Sequence, residues 1–159
     1  MQLNGTLAAT TDSTIWNSAP TSSVINVGSG FSGSVAQIIY CWSQIAGYSA
    51  FGSYTGNGSA DGPFVYCGFQ PRFVIIKLSS GSGSGWLMYD SSRNPSNLVT
   101  QYLQANASNA EAGSSTDNPL DFLSNGFKLR YSNSATNQSG GTFIYAAFAS
   151  NPFKYANAF

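Results

Sequence analysis

The stretch R-F-V-I-I-K-L (Arg72–Leu78) says most about the fold of this chain. Its successive apolar residues, Phe73 to Ile76, place hydrophobic side chains on both faces of an extended segment, which predicts a central strand covered on both sides. A second stretch, G-F-K-L-R-Y (Gly126–Tyr131), alternates apolar with charged residues. Because such alternation is typical of a strand with one buried face, the two stretches together predict a β-sheet protein.

Short β-branched and aromatic runs recur along the chain, separated by turns rich in Gly, Ser and Asn. The predicted strands lie at Val24–Val27, Gln37–Trp42, Phe64–Phe69, Arg72–Leu78, Trp86–Tyr89, Gly126–Tyr131 and Thr142–Phe148. One short segment, Thr100–Ala105, is compatible with a helix. Regular strands with turns between them predict an all-β fold, an antiparallel β-sandwich of jelly-roll type without substantial helix.

The C-terminal segment has a weaker copy near the start of the chain. Ile38 and Trp42 align with Ile144 and Phe148, 106 positions downstream, and S-S-V-I-N-V (Ser22–Val27) resembles N-G-F-K-L-R. This self-similarity predicts a complete β-sandwich unit at residues 51–159, preceded by residues 1–50, which resemble the end of another unit. Modular repetition of this kind favours a displayed or structural protein over an enzyme.

Residues 1–50 contain about two predicted strands, too few for a sheet that is stable alone. We therefore expect them to be structurally integral, packed on the 51–159 unit or on a neighbouring subunit. Ile38, Tyr40 and Trp42 are then expected to be buried in a sheet.

Charged residues make up 8% of the 159 residues, against an average of ~25%. Six Lys and Arg balance six Asp and Glu, so no net charge attracts nucleic acid or an anionic membrane. No apolar stretch approaches the ~18 residues that cross a bilayer, so we expect no membrane insertion. Because a free monomer without net charge tends to associate, we expect this chain to work in an assembly.

The two cysteines, Cys41 and Cys67, allow at most one disulfide, and both lie in apolar runs where a free thiol behaves as a small hydrophobe. We prefer free thiols, because the N-terminus shows no export signal. Two cysteines without a histidine do not predict a metal site, and no cofactor is expected.

The chain contains no histidine, which excludes Ser-His-Asp and Cys-His nucleophiles. The acidic residues Asp61, Asp90, Glu111, Asp117 and Asp121 offer candidates for a glycosidase acid and base. In A-D-G-P and Y-D-S-S-R, however, Asp61 and Asp90 occupy turn sequences where carboxylates accept hydrogen bonds from backbone amides. A surface cation at Asp117 and Asp121 is a second alternative, although no EF-hand loop is present. We expect no catalytic residue and no metal ligand.

The densest polar cluster is Y-D-S-S-R-N-P, where Asp90 and Arg93 stand three residues apart across a turn. An ion pair that fixes this loop is the preferred interpretation. The alternative is a glycan or receptor contact through Tyr89 and Arg93.

The chain has 11 Phe, 9 Tyr and 3 Trp, more than a small sandwich core requires. Sugar-binding surfaces and subunit interfaces both use exposed aromatic side chains. Tyr48 and Tyr54 are candidates for a glycan contact, and Phe153, Tyr155 and Phe159 for a subunit contact.

Several motifs then point to a known family. They are F-G-S-Y-T-G-N-G-S-A-D-G-P-F-V-Y (Phe51–Tyr66), G-F-Q-P-R-F-V-I-I-K (Gly68–Lys77), Y-D-S-S-R-N-P (Tyr89–Pro95), N-A-E-A (Asn109–Ala112), F-L-S-N-G-F-K-L-R (Phe122–Arg130) and S-G-G-T-F-I-Y-A-A-F-A-S-N-P-F-K-Y-A-N-A (Ser139–Ala158). In combination they resemble an uncharacterised β-rich domain at the C-terminal end of virion structural proteins of tailed bacteriophages, often marine or freshwater, which are commonly described as tail fibre or tail proteins.

The resemblance implies a non-enzymatic structural protein on the surface of the virion, assembled in the cytoplasm of the bacterial host. A tail-fibre or receptor-binding role in host attachment is preferred, and a capsid decoration (cement) role is the alternative. Expected partners are further copies of the chain, as a homotrimer, other virion proteins and a host surface glycan, without nucleic acid. A carbohydrate-binding module and a polysaccharide depolymerase fragment are the alternatives outside this class.

Overall fold

The computed structural model describes Leu3, residues 5–31 and residues 38–151. Its contacts divide the chain into two compact units. The first, called here the β unit, comprises Met1–Ala9 and Ser43–Phe159. The second, called the 10–42 unit, comprises Thr10–Trp42.

Two antiparallel sheets form the β unit. The larger has the strand order β1-β8-β3-β4-β5 and the smaller β2-β7-β6. The elements are β1 (Ser49–Thr55), β2 (Phe64–Tyr66), β3 (Pro71–Leu78), β4 (Leu87–Asp90), β5 (Leu103–Gln104), β6 (Leu120–Leu123), β7 (Gly126–Leu129), α1 (Ser134–Asn137) and β8 (Thr142–Ala149). Buried side chains of both sheets share one hydrophobic core, so the predicted all-β sandwich without substantial helix is confirmed.

Strand β3 is the central strand of the larger sheet, as its sequence predicts. It pairs with β8 on one side and β4 on the other. On its inner face Val74 and Ile76 are fully buried, whereas Phe73 and Ile75 on the outer face are half-buried. The second face is less covered because a sandwich of two layers packs only one face of each sheet into the core.

Residues near the N-terminus cover part of that outer face. The backbone N–H of Ala9 donates to the carbonyl of Ser79 at 2.9 Å. Lys77, which has no exposed surface, donates through Nζ to the carbonyl oxygens of Leu78 at 2.8 Å and Thr6 at 3.3 Å. Burial lowers the pKa of Lys77, and these two acceptors satisfy an amine that would otherwise be costly to enclose.

Strand β7 is the centre of the smaller sheet and pairs with β2 and β6. Phe127 and Leu129 are fully buried, while Lys128 is half-buried and Arg130 is exposed. The alternation predicted from G-F-K-L-R-Y is therefore confirmed.

Three strands do not appear among the sequence predictions, namely β1, β5 and β6. The sequence of β1, S-A-F-G-S-Y-T, is not an apolar run, but the strand forms because β8 offers it a full hydrogen-bonding edge. At Gly52 a Cβ atom would lie 3.1 Å from the ring of Tyr145, so the missing side chain makes room for that ring. The helix considered at Thr100–Ala105 is wrong, since Leu103–Gln104 pairs with β4.

The 10–42 unit contains no strand within its described residues, which corrects the predictions for Val24–Val27 and Gln37–Trp42. Val27 makes only an isolated bridge with Trp16, and a short 3-10 turn follows at Ser29–Phe31. Gln37 lies outside the described residues, and residues 38–42 lie in no strand.

The burial expected for Ile38, Tyr40 and Trp42 is also wrong for the single chain, in which these residues are 79%, 59% and 59% exposed. The reason is that the place in a sheet that the self-similarity predicts for these residues is already filled in the β unit. In the β unit the segment similar to 38–42 is β8, and it already occupies the place between β1 and β3. Packing of residues 38–42 on a neighbouring subunit stays a prediction.

Candidate functional site

The loop that follows β4 contains the predicted ion pair. Nε of Arg93 donates to Oδ2 of Asp90 at 2.7 Å. The other carboxylate oxygen, Oδ1, accepts from the backbone N–H groups of Ser92 at 2.9 Å and Arg93 at 2.8 Å. Asp90 therefore caps its own turn and holds the guanidinium, and the predicted structural pair is confirmed.

A second carboxylate, which sequence reasoning did not place here, completes the arrangement. Nη1 of Arg93 also binds Oε2 of Glu111. The hydrogen bond to Glu111 and, after it, the bond to Asp90 raise the pKa of Arg93, although desolvation opposes them. Because Glu111 comes from a separate loop, no local pattern in the sequence signals this contact. The guanidinium of Arg93 therefore links the turn after β4 to the loop that contains Glu111.

Tyr89 is not a surface residue, which corrects its prediction as a glycan contact. It is fully buried, and its hydroxyl donates to the carbonyl of Asn118 at 3.0 Å. The alternation of β4 explains this, because Leu87 and Tyr89 point into the core while Met88 and Asp90 point away from it. Burial raises the pKa of Tyr89 well above its ordinary value.

Tyr48 and Tyr54 are half-buried and lie at two other places. The hydroxyl of Tyr54 donates to the carbonyl of Thr136 at 2.6 Å, and its ring stacks on Phe143 at 5.1 Å. The ring of Tyr48 packs edge-on against Phe148 at 6.2 Å. Tyr54 lies in β1, three strands from β4 in the sheet order, or about 14 Å at the usual strand spacing. The structure therefore does not unite these tyrosines with Arg93 in one site.

The three predicted subunit contacts, Phe153, Tyr155 and Phe159, lie outside the described residues, so this assignment stays a prediction.

The carboxylates considered for catalysis have partners of their own. Asp61 was expected to bind backbone amides, but its Oδ1 pairs with Nζ of Lys128 at 2.6 Å. This correction follows from β7, which brings Lys128 to the surface beside the 56–62 loop. Asp121 pairs with Arg130 at 2.9 Å.

Asp117 accepts hydrogen bonds from the hydroxyl of Tyr102 at 2.9 Å and from Nδ2 of Asn118 at 2.8 Å. It is therefore part of a polar network with a structural role. Within the described residues, no three His, Cys, Asp or Glu side chains are grouped as metal ligands would be.

The cysteines differ in exposure. Cys41 is exposed, Cys67 is half-buried, and both are free thiols. Burial raises the pKa of Cys67 to about 12, so this thiol stays protonated at neutral pH.

The Y-T-G-N-G-S-A-D-G-P block is organised by a side chain that sequence reasoning missed. Asn137 is fully buried. Its Nδ2 donates to the carbonyl oxygens of Ser59 at 2.7 Å and Tyr131 at 3.0 Å, and its Oδ1 accepts from the N–H of Asn57 at 2.9 Å. A buried amide that fixes two loops indicates a scaffold, not a reactive centre.

Large apolar side chains are exposed in the 10–42 unit. Besides Ile38, Tyr40 and Trp42, they include Val24, Val27 and Trp16. The rings of Tyr40 and Trp42 stack on each other at 5.9 Å. Residues Ile38, Ile39, Tyr40 and Trp42 are called here the apolar segment, and they are the candidate interface of this unit.

No helix among the described residues combines the length and apolar character needed to cross a membrane. No curated protein and no solved structure matches the chain. A family model described as a domain of unknown function, DUF7483, matches residues 1–152. The matched region includes the whole 10–42 unit and all of the β unit except residues 153–159, and the chain belongs to the DUF7483 family.

Proposed function

We propose that the chain is a non-enzymatic structural protein on the surface of a tailed-bacteriophage particle, where it serves as a tail-fibre component in host attachment. The observation that carries the proposal is the exposed apolar segment in a chain without net charge. An exposed apolar segment of this kind favours contact with a partner surface.

The energetics favour assembly. Covering one large apolar side chain contributes about 1.5–3 kcal/mol. Ile38, Tyr40 and Trp42 are each more than half exposed. Covering all three with a partner surface therefore contributes a binding free energy of several times RT. Charge repulsion between copies does not oppose this contact, because the net charge is zero.

The kind of assembly is suggested by the resemblance of the chain to phage virion proteins. The blocks that carry this resemblance have structural roles in the β unit. Asn57 and Ser59 of the Y-T-G-N-G-S-A-D-G-P block are bound to Asn137, and Asp90 of Y-D-S-S-R-N-P is bound to Arg93. Motifs that maintain a scaffold support a displayed structural protein better than an enzyme.

The test is to purify the particles made by the genome that encodes the chain and to measure its copy number by gel densitometry and mass spectrometry. We expect a copy number that matches the tail proteins, together with immunogold labelling of the tail. A copy number matching the capsid protein would replace the tail-fibre role with capsid decoration. Absence from the particles would overturn both roles.

A further inference from the structure

A polar cleft of about 250 Å³ opens in the β unit beside the Asp90–Arg93 turn. It lies between the start of β3, the 91–97 loop and the ends of β6 and β8. Its walls include Gln70, Ser91, Asn94, Pro95, Ser96 and Phe122. This volume lies just below the ~300–1,000 Å³ typical of sites for drug-sized ligands, so the cleft suits one compact unit.

Several polar side chains in the cleft have hydrogen-bonding groups available to a ligand. The side chains of Gln70 and Ser96 are exposed, and that of Ser91 is half-buried. In the described part of the chain none of these three side chains makes a hydrogen bond, and Nδ2 of Asn94 makes none either. Amides and hydroxyls both donate and accept, so together they match a ligand whose own groups do the same.

The walls are fixed before any ligand arrives. Oδ1 of Asn94 accepts from the backbone N–H groups of Thr100 at 3.2 Å and Gln101 at 2.8 Å, which leaves only its Nδ2 for a ligand. Asn97 donates to the carbonyl of Phe122 and accepts from its N–H, both at 2.9 Å, so that its amide continues the edge of β6. A loop held in this way loses little conformational entropy on binding.

The charge of the cleft restricts the ligand class. None of its lining residues is ionisable. The neighbouring guanidinium of Arg93 is already held between Asp90 and Glu111. The guanidinium of Arg72, beside the cleft, donates to Oγ of Ser92 at 3.3 Å. Because no lining residue carries a charge that would replace the hydration of an ion, a neutral ligand is favoured.

We propose that this cleft binds one neutral monosaccharide unit of a host-surface glycan. Sugar hydroxyls match the side chains of Gln70, Ser91, Ser96 and Asn94, while the exposed Pro95 offers apolar contact for the C–H groups of the ring. The inference rests on the proposed host-attachment function and assigns it a site that does not include Tyr48, Tyr54 or Tyr89.

The test uses the purified full chain and saturation-transfer NMR with the methyl glycosides of glucose, galactose, mannose, rhamnose and N-acetylglucosamine, each alone. Methyl glucuronide serves as the charged comparison. We expect at least one neutral glycoside to bind with a Kd on the order of 1 mM, which is typical of weak single-site contacts. The double variant Gln70→Ala/Ser96→Ala should raise that Kd at least fivefold, and it should fold normally because both side chains are exposed.

The matched control is Gln138→Ala/Ser139→Ala, which changes the same residue types at exposed positions outside the cleft. It should leave the Kd unchanged. The proposal is overturned if no neutral glycoside binds, if only the glucuronide binds, or if both double variants bind equally well. Sugar binding is measured on the isolated chain, so its failure is separable from a failure to find the chain in particles.

Discussion

Two similar stretches of sequence have opposite environments in this protein. In the β unit, Ile144 and Phe148 belong to β8, which pairs with β1 and β3 and contains the fully buried Phe143 and Ala147. Ile38 and Trp42, with which they align, lie in the 10–42 unit outside any strand and are largely exposed. The comparison shows that an apolar, β-prone stretch becomes a strand only where neighbouring strands offer hydrogen bonds and a core.

The largest expected difference between the units is in the folding stability lost when one isoleucine side chain is shortened to alanine. Ile76→Ala removes a fully buried side chain and should lower the free energy of unfolding by about 2–5 kcal/mol. Ile38→Ala removes a side chain that is 79% exposed and should change it by no more than about 0.5 kcal/mol. Urea denaturation followed by fluorescence measures both. Equal losses would show that residues 38–42 are packed as tightly as the core.

The second difference concerns assembly. Tyr40→Ser/Trp42→Ser should prevent incorporation into particles without shifting Tm, because in the proposed function the apolar segment contacts a partner and not the core. Leu7→Ser is the matched control, since Leu7 is 70% exposed but belongs to the β unit. Particle-bound protein is quantified by mass spectrometry, and a Tyr40→Ser/Trp42→Ser protein that is incorporated as well as the parent contradicts the assigned interface.

A third difference lies in thiol chemistry. With a pKa of about 12, about one Cys67 thiol in 10,000 is ionised at pH 8. A disulfide reagent at this pH should therefore modify the exposed Cys41 quickly and Cys67 very slowly in the folded protein. Cys41→Ser should abolish the fast phase, and unfolding in urea should make both thiols reactive. Two equally fast thiols in the native protein would contradict the burial of Cys67.

The smallest expected difference between the units is in the cause of a lowered carboxyl pKa. The pKa of Asp61 in the β unit lies below its ordinary 3.8 mainly because of Lys128. The pKa of Asp12 in the 10–42 unit is lowered mainly by hydrogen bonds from Thr14. In both cases the stabilising contribution is present above pH 3.8 and is lost as the pH falls through the lower folded value.

Carbon NMR titration should show that Lys128→Gln, or 0.5 M salt, raises the pKa of Asp61 and leaves that of Asp12 unchanged. Asp61 is highly exposed, so overall stability should barely change. A salt-insensitive Asp61 would show that the ion pair does not exist in solution.

The sequence predicted those parts of the fold that are determined by local periodicity. Strands β3, β7 and β8 have apolar patterns that match their burial. Strand β1 could not be predicted in this way, because it contains Ser49, Ala50 and Gly52, and its pairing with β8 joins distant parts of the chain. The predictions for 24–27 and 37–42 failed for the opposite reason. Their local pattern favours strands, but the described residues of these segments form none beyond the isolated bridge between Trp16 and Val27.

In the candidate site, too, the sequence predicted local contacts and missed contacts between distant parts of the chain. The Asp90–Arg93 pair is local and was predicted from spacing alone. Glu111 was not linked to Arg93, because only the folded chain brings the two loops together. Tyr89 was assigned to the surface because it neighbours a polar turn, although the alternation of β4 places it in the core.

The position of β8 between β1 and β3 also affects how the protein is made. Ser49 in β1 pairs with Phe148 in β8, 99 positions later. During translation, β1 and β3 leave the ribosome with the strand that joins them still unsynthesised, so the larger sheet closes only after residue 149 has emerged. Until then the nascent chain exposes two open strand edges that can pair with other chains. Closure over such a long loop is slow, so these edges stay open for longer than those of a sheet built from hairpins.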